Sequence, residues 1–261
     1  MDSEGAKPVE WLSRRIASSG VCSRRKASEA IREGRVSVNG NRVTEPSTRV
    51  GPDDVVEFDG ARLSMPRNRV VLALNKPKGY VSTMSDTHGR RTVMDLAPQG
   101  FVGLKPVGRL DKDTEGLLLF TNDGELANRL LHPRYELAKV YEVVVRGKVA
   151  DATIVRLEKG VWIEGGRTSP AKVSRIETLG DGARTRFLLE IHEGRKRQVR
   201  SMCAAVGALV VELRRLSIGP IRLGRLPKGA CRKLGHQEVE ALLESVGLAE
   251  AAPPPKSRRR K

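Results

Sequence analysis

Residues 107–132 read VGRLDKDTEGLLLFTNDGELANRLLH. A polar loop carrying Arg109, Asp111, Lys112 and Asp113 runs into the apolar stretch Leu117 to Phe120, which reads as a strand. Asn122-Asp123-Gly124 is turn chemistry. Leu126 and Leu130, four apart beyond it, share one helix face. The same alternation of short elements continues in both directions. VVLALNKPKGYVST (70–83) is a strand entering a Lys-Pro-Lys-Gly turn, and KVYEVVV (139–145) is a further strand. TRFLLEIHEGRKRQVRSMCAAVG (185–207) reads as a strand, a Glu-Gly turn and an amphipathic helix. Val199, Met202, Cys203 and Val206 lie on that helix's buried side, and Lys196, Arg197 and Arg200 face elsewhere. Short strands outnumber well-patterned helices. The predicted fold class is therefore α+β, with a mixed, mainly antiparallel sheet and flanking helices rather than a doubly wound parallel sheet.

The chain has 261 residues, enough for two domains. Three zones are expected: a small α/β module with its link over 9–68, the larger region over 69–248, and a disordered basic tail over 249–261. No apolar stretch approaches the length of a membrane span. The opening residues carry no signal-peptide pattern, so a cytoplasmic location is expected. Cys22, Cys203 and Cys231 are too scattered for a zinc site or a disulfide framework. No glycine-rich nucleotide loop is present. Neither a metal nor a cofactor is expected.

Charge narrows the partner. With 48 Lys+Arg against 31 Asp+Glu, the net charge is +17. Such an excess favours a polyanion, because each neutralised phosphate releases counterions. Anionic lipid is the weaker reading, since no basic amphipathic anchor helix is present.

In the N-terminal zone, Leu12 and Ile16 mark one helix. Ser23 is placed to cap a second, with Ala27, Ala30 and Ile31 buried and Gly34 ending it. VSVNGNRV (36–43) then offers a hairpin around Asn39-Gly40. Arg24, Arg25 and Lys26 occupy the first turn of the second helix, where the helix dipole disfavours cations. A docked phosphate would convert that cost into an attraction, although a solvated basic face is the ordinary alternative. The stretch from Trp11 to Gly60, with GVCSRRKASEAIREGRVSVNG at its centre, resembles the RNA-binding module named after the fourth protein of the small ribosomal subunit.

In the larger region the residues alone leave the chemistry open. A positioned, ionised carboxylate serves as nucleophile or base, but nothing separates Asp111 from Asp113. Asp123 is discounted as a turn residue, and for Asp111 a surface ion pair is the commoner reading. Tyr141 alone reads as a core tyrosine. A resemblance changes this weighting. GRLDKDTEGLLLFTNDGELANRLLHP, with LNKPKGYVST, KVYEVVVRG, EGRKRQVRSMCAAVG and VVELRRLSIGPIRLGRLPKGACRKL, resembles the ribosomal-RNA pseudouridine synthases in the branch that carries the N-terminal module.

The resemblance implies an isomerase that converts a uridine in ribosomal RNA to pseudouridine without a cofactor. It implies Asp111 as the catalytic aspartate, Tyr141 as the active-site aromatic, Arg195 as the arginine paired with Asp111, and Val199 as an apolar pocket residue. Arg109 would support the site. Arg14, Arg24, Arg25, Lys26, Arg35, Asn39, Lys196 and Arg197 would contact RNA. Lys196 stands where this branch usually has Asn. The expected partner is ribosomal RNA or a ribosomal subunit precursor, met by a monomer. GRTSPAKVSRIETL and EGRKRQVRSM look more like the large-subunit branch than the small-subunit one. A small-subunit enzyme and a non-catalytic ribosome-assembly factor are the alternatives, and the second leaves Asp111, Tyr141 and Arg195 without a role.

Overall fold

A computed structural model describes residues 9–65 and 68–248; the tail expected at 249–261 lies outside them. The N-terminal module contains helices α1 (Leu12–Ser18) and α2 (Arg24–Arg32). Its four-stranded sheet contains β1 (Val36–Val38), β2 (Asn41–Val43), β3 (Val56–Phe58) and β4 (Ala61–Arg62), in the order β2-β1-β3-β4. Leu12, Ile16, Ala27, Ile31, Val36, Val50 and Val56 form its core. Ser23 caps α2 as its position predicts, its hydroxyl accepting from the Lys26 N–H. Asn39 and Gly40 both take positive φ, 51° and 80°, the conformation a two-residue hairpin needs.

The larger region is organised by one sheet. Its strands are β5 (Val71–Lys76), β6 (Lys105–Val107), β7 (Glu115–Thr121), β8 (Lys139–Arg146), β9 (Lys172–Leu179), β10 (Arg184–Ile191), β11 (Val210–Ile218) and β12 (Cys231–Lys233). The order is β9-β10-β8-β11-β7-β5-β12, with β6 added beside β7 and residues 221–222 beside β11. Among the described residues every pairing in this sheet is antiparallel except β11 with β7. The mixed, mainly antiparallel sheet is as predicted.

Helices cover both faces. Leu72, Leu74, Leu118, Phe120, Val143, Phe187 and Leu189 pack with Leu157 of α4 (Asp151–Glu158) and with Val199, Met202 and Cys203 of α5 (Gln198–Ala205). On the opposite face, Val71, Ala73, Leu117 and Leu119 meet Leu126 and Leu130 of α3 (Gly124–Leu131) and Leu242 and Leu243 of α6 (His236–Glu244). Strands β5 and β7 are thus buried on both sides, which is why VVLAL and LLLF are continuous apolar runs rather than alternating ones. No described helix is long and apolar enough to cross a membrane.

The module is joined to this body by specific contacts. Arg14 of α1 pairs with Glu125 of α3 at 2.7 Å, and Lys105 of β6 donates to the Ala17 carbonyl at 2.9 Å.

Candidate active site

Strand β7 delivers the loop 108–114 to the sheet end, and three groups from the end of β5 and the segment after it hold it there. Lys76 ends β5 on the face shared with Leu72 and Leu74, fully buried. Its Nζ donates to the carbonyls of Asp111 and Thr114, each at 2.9 Å, and of Pro77 at 3.2 Å. Ser82 both donates to the Leu110 carbonyl (2.8 Å) and accepts from the Leu110 N–H (3.1 Å). The Gly79 N–H donates to the Lys112 carbonyl at 2.8 Å. The Lys-Pro-Lys-Gly turn is therefore the loop's clamp. Burial pushes the Lys76 ammonium down from its ordinary 10.5 to about 8, against the opposing pull of Asp113, Asp111 and Glu115.

A row of paired residues crosses the sheet beside this loop. Lys76 pairs with Gly116, Gly116 with Arg215, Arg215 with Tyr141, and Tyr141 with Leu189. Paired residues project to one face, here the face covered by α5. Arg215 is buried; its Nε donates to the Leu117 carbonyl at 2.7 Å and a terminal nitrogen to the Tyr141 hydroxyl at 3.4 Å. Gly116 is required for the close approach of β7 to β11. Its φ is +104°, and an added Cβ would lie 2.2 Å from the Arg215 carbonyl oxygen.

Asp111 is partly exposed, and its cationic partner is Arg197, at 3.7 Å. The same guanidinium lies 3.6 Å from Asp113, which Arg200 also contacts at 3.1 Å. The expectation had placed Arg195 beside Asp111. Arg195 instead donates to Glu193 and to the carbonyls of Gly165, Gly166 and Arg167. The reason is backbone geometry. Helix α5 begins after Arg197, not at Lys196 as the amphipathic reading implied, and Arg197 has a left-handed φ of 50°. Adjacent side chains of the turn therefore diverge. Such a conformation costs about 1 kcal/mol in a non-glycine residue and is concentrated at functional sites.

The other expected residues divide into three groups. Tyr141 and Val199 belong to one buried cluster, with Tyr141 8% exposed. Arg109, Lys196, Arg24, Arg25 and Lys26 are exposed and make no ion pair among the described residues. Arg14, Arg35 and Asn39 are engaged within the protein: Arg14 with Glu125, Arg35 through two nitrogens with Asp59, and Asn39 with Asp54 and the Val55 N–H. For Arg35 and Asn39 this is a structural role in the turns beside β1. Asp123 caps α3, accepting from Glu125 and Leu126 N–H groups, as turn chemistry suggested. The sequence reading missed Lys76, Ser82, Arg200 and Arg215. For Lys76 a signal existed: a lysine at the position where the alternation after Leu72 and Leu74 calls for a buried residue.

Two open cavities, of about 560 and 530 Å³, lie against the N-terminal module and at its junction with the larger region, and neither is lined by Asp111. Asp111 itself is a partly exposed carboxylate at the sheet end. Among the described residues no group of three His, Cys, Asp or Glu side chains could hold a metal ion. A carboxylate clamped through its own backbone and flanked by cations suits attack on, or proton abstraction from, a substrate that carries phosphates.

Residues 70–205 match the family described as RNA pseudouridylate synthase, and residues 10–56 match the S4 domain. The chain is 43% identical over 235 residues to an RNA pseudouridine synthase of Aquifex aeolicus, covering 89% of this chain and 93% of that one. Ribosomal large subunit pseudouridine synthase B of Bacillus subtilis is 42% identical over 235 residues, with 90% and 96% covered. A crystal structure of a pseudouridylate synthase, 33% identical, superposes with a TM-score of 0.64 over 89% of this chain and 99% of the other. The family match runs from the start of β5 to the end of α5, the two elements that clamp and flank the Asp111 loop, so the chain belongs to the RNA pseudouridylate synthase family.

Proposed function

We propose that this enzyme isomerises a uridine of large-subunit ribosomal RNA to pseudouridine, with Asp111 as its catalytic carboxylate. The observation that carries the site is the loop 108–114, held by Lys76, Ser82 and Gly79 so that Asp111 meets Arg197 at 3.7 Å. The choice of the large subunit rests on the names of relatives in Bacillus subtilis and Pseudomonas aeruginosa, each 42% identical.

The reaction breaks the bond from ribose carbon 1′ to uracil nitrogen 1, turns the base while it is held, and joins carbon 1′ to carbon 5. The hydrogen on carbon 5 leaves and nitrogen 1 gains one, so no redox partner is consumed. Asp111 starts this sequence at the ribose, as nucleophile or as base. Arg197 orients the carboxylate, a role the resemblance had given to Arg195. Tyr141, held by Arg215, is the aromatic on which the base stacks, and Val199 belongs to the same cluster. A base in a helix must first be flipped out, at a cost of a few kcal/mol, which contacts from Arg109, Lys196 and the α2 cations to phosphates offset. Arg24, Arg25 and Lys26 are exposed cations of the module with no ion pair among the described residues, and the 9–68 unit acts as an anchor for the 69–248 unit. The protein works as a cytoplasmic monomer on a ribosomal subunit precursor.

The deciding experiment maps pseudouridines by carbodiimide chemistry in ribosomal RNA from cells lacking the gene. Loss of one large-subunit site, restored by wild type but not by Asp111→Asn, is the expected result. Retention of every site would point to an assembly factor, and loss from the small subunit would reassign the substrate.

A further inference from the structure

Trp162 is 75% exposed, more than any other large hydrophobic side chain among the described residues. It stands on a two-stranded hairpin, Trp162–Ile163 paired with Gly166–Arg167. An exposed indole on a loose loop would mean little, but this hairpin is fastened at both ends. At its base, Val161 donates to the Thr168 hydroxyl at 3.0 Å and Thr168 donates back to the Val161 carbonyl at 2.9 Å. At its turn, Arg195 donates to the carbonyls of Gly165, Gly166 and Arg167 at 3.3, 2.9 and 2.8 Å. Ile163 points inward against the core, so Trp162 is held outward.

The surroundings say what it faces. Arg167 is its cross-strand partner, so both side chains share one face. Lys159 is exposed just before the hairpin in the chain, Lys196 and Arg197 are exposed in the turn that Arg195 latches to it, and Glu164 in the turn is the one acid of the hairpin. The turn that latches the hairpin through Arg195 also carries Arg197, 3.7 Å from Asp111. The hairpin that carries the indole is therefore tied to the turn that flanks the Asp111 loop.

We infer that the 162–167 hairpin is an RNA-binding element in which Trp162 stacks on an unpaired nucleobase next to the target uridine, with Arg167 and Lys196 on the adjoining phosphates. Aromatic stacking tolerates any base because each has a π-face, whereas cations alone would not give the indole a reason to be exposed. Arg195 is then a positioning residue for recognition. This inference rests on the RNA-modifying reading above.

The full chain contains two tryptophans, so Trp11→Phe leaves Trp162 as the sole indole reporter. Its emission should be quenched on titration with a short oligouridylate and with unmodified large-subunit ribosomal RNA transcript. Trp162→Ala should weaken binding by at least about fivefold and raise KM, with kcat at saturating RNA retained, and Trp162→Phe should restore most of the affinity. Arg195→Ala should lower the fluorescence anisotropy of Trp162 and reduce the quenching, which a role confined to ion pairing with Asp111 would not do. Unchanged emission on RNA binding, together with unchanged affinity of Trp162→Ala, would overturn the inference and leave the indole facing a protein. That outcome with normal pseudouridine formation leaves the enzyme reading standing. Quenching by RNA without any pseudouridine formation would sink the enzyme reading and keep the stacking surface.

Discussion

Replacing Lys76 with Met separates the stability of the fold from the order of the Asp111 loop. The stem keeps its length and the three N–H donors vanish. Two of the lost bonds are 2.9 Å long, and hydrogen bonds to a charged group contribute about 1.5–3 kcal/mol each. Their loss alone would cost about 3–6 kcal/mol by that range. An opposing gain is of similar size. Burial lowers the Lys76 ammonium from 10.5 to about 8, a penalty of about 3 kcal/mol that methionine does not carry. Global stability should therefore fall by about 0–3 kcal/mol, measured by denaturant melts. Activity should fall much further, because a displacement near 1 Å of a reacting group costs on the order of 100-fold. Tritium release from RNA labelled at uracil carbon 5 should show kcat down at least about tenfold, with RNA affinity by filter retention little changed. The pH profile sharpens the test. Between about 8 and 10.5 the unfolded chain holds this proton and the folded one does not, so Lys76's contribution to stability rises with pH across that window. Activity should move the other way, since a neutral amine has two N–H groups for three carbonyls. In the wild type, kcat should decline above about pH 8 while the melting data show no matching loss from this group. A Lys76→Met enzyme with wild-type kcat, or with the same alkaline decline, would refute the clamp.

Asp111→Asn should abolish pseudouridine formation while leaving RNA affinity within a few fold, whereas Asp113→Asn and Asp123→Asn should keep substantial activity in the same tritium assay. Arg197→Ala should lower kcat more than Arg195→Ala does, because Arg197 is the guanidinium beside Asp111. Gly116→Ala places a Cβ 2.2 Å from the Arg215 carbonyl oxygen at a φ of +104°, so it should destabilise the protein by about 3 kcal/mol or more, read by thermal melting. Arg24→Ala with Arg25→Ala should flatten the salt dependence of RNA binding by about 0.7–0.9 per lost phosphate contact, with the fold intact.

Elements with a local cause were legible. Asn39-Gly40 demands a hairpin wherever it falls, Ser23 caps because its hydroxyl reaches the next turn, and Val199, Met202 and Cys203 share a face by helical spacing alone. Strand order was not legible. The one parallel strand pairing of the large sheet among the described residues, β11 with β7, joins segments nearly a hundred residues apart, and neither LLLF nor VVELRRL records its neighbour. Gly116 shows the limit clearly. It reads as an ordinary glycine in TEGLLLF, and only the pairing with Arg215 explains why a Cβ is excluded. Lys76 was half visible, since a lysine in a buried alternation must find acceptors, but its two shortest bonds go to carbonyls of a loop at least 35 residues away.

The candidate site is harder to read because its cations act through backbone direction rather than residue type. Arg195 and Arg197 are two residues apart in one basic turn, chemically identical, and each is within reach of a carboxylate: Glu193 for one, Asp111 for the other. Their division of labour is set by the left-handed φ at Arg197, which nothing in GRKRQVR announces. Had the helix begun at Lys196, the two guanidiniums would sit about 200° apart on a helix wheel and Arg197 would leave the loop. With the helix starting at Gln198, one arginine turns to the Asp111 loop and the other to the Trp162 hairpin. The carboxylate and the exposed indole are thereby tied to a single turn, so a change at either end should be felt at the other. Gln198 tightens that turn by accepting from the Arg195 N–H at 2.9 Å and donating to Glu193 at 2.6 Å. Gln198→Ala touches neither Asp111 nor Trp162, yet it should lower both kcat and the anisotropy of Trp162. If only one of the two changes, the turn does not couple them.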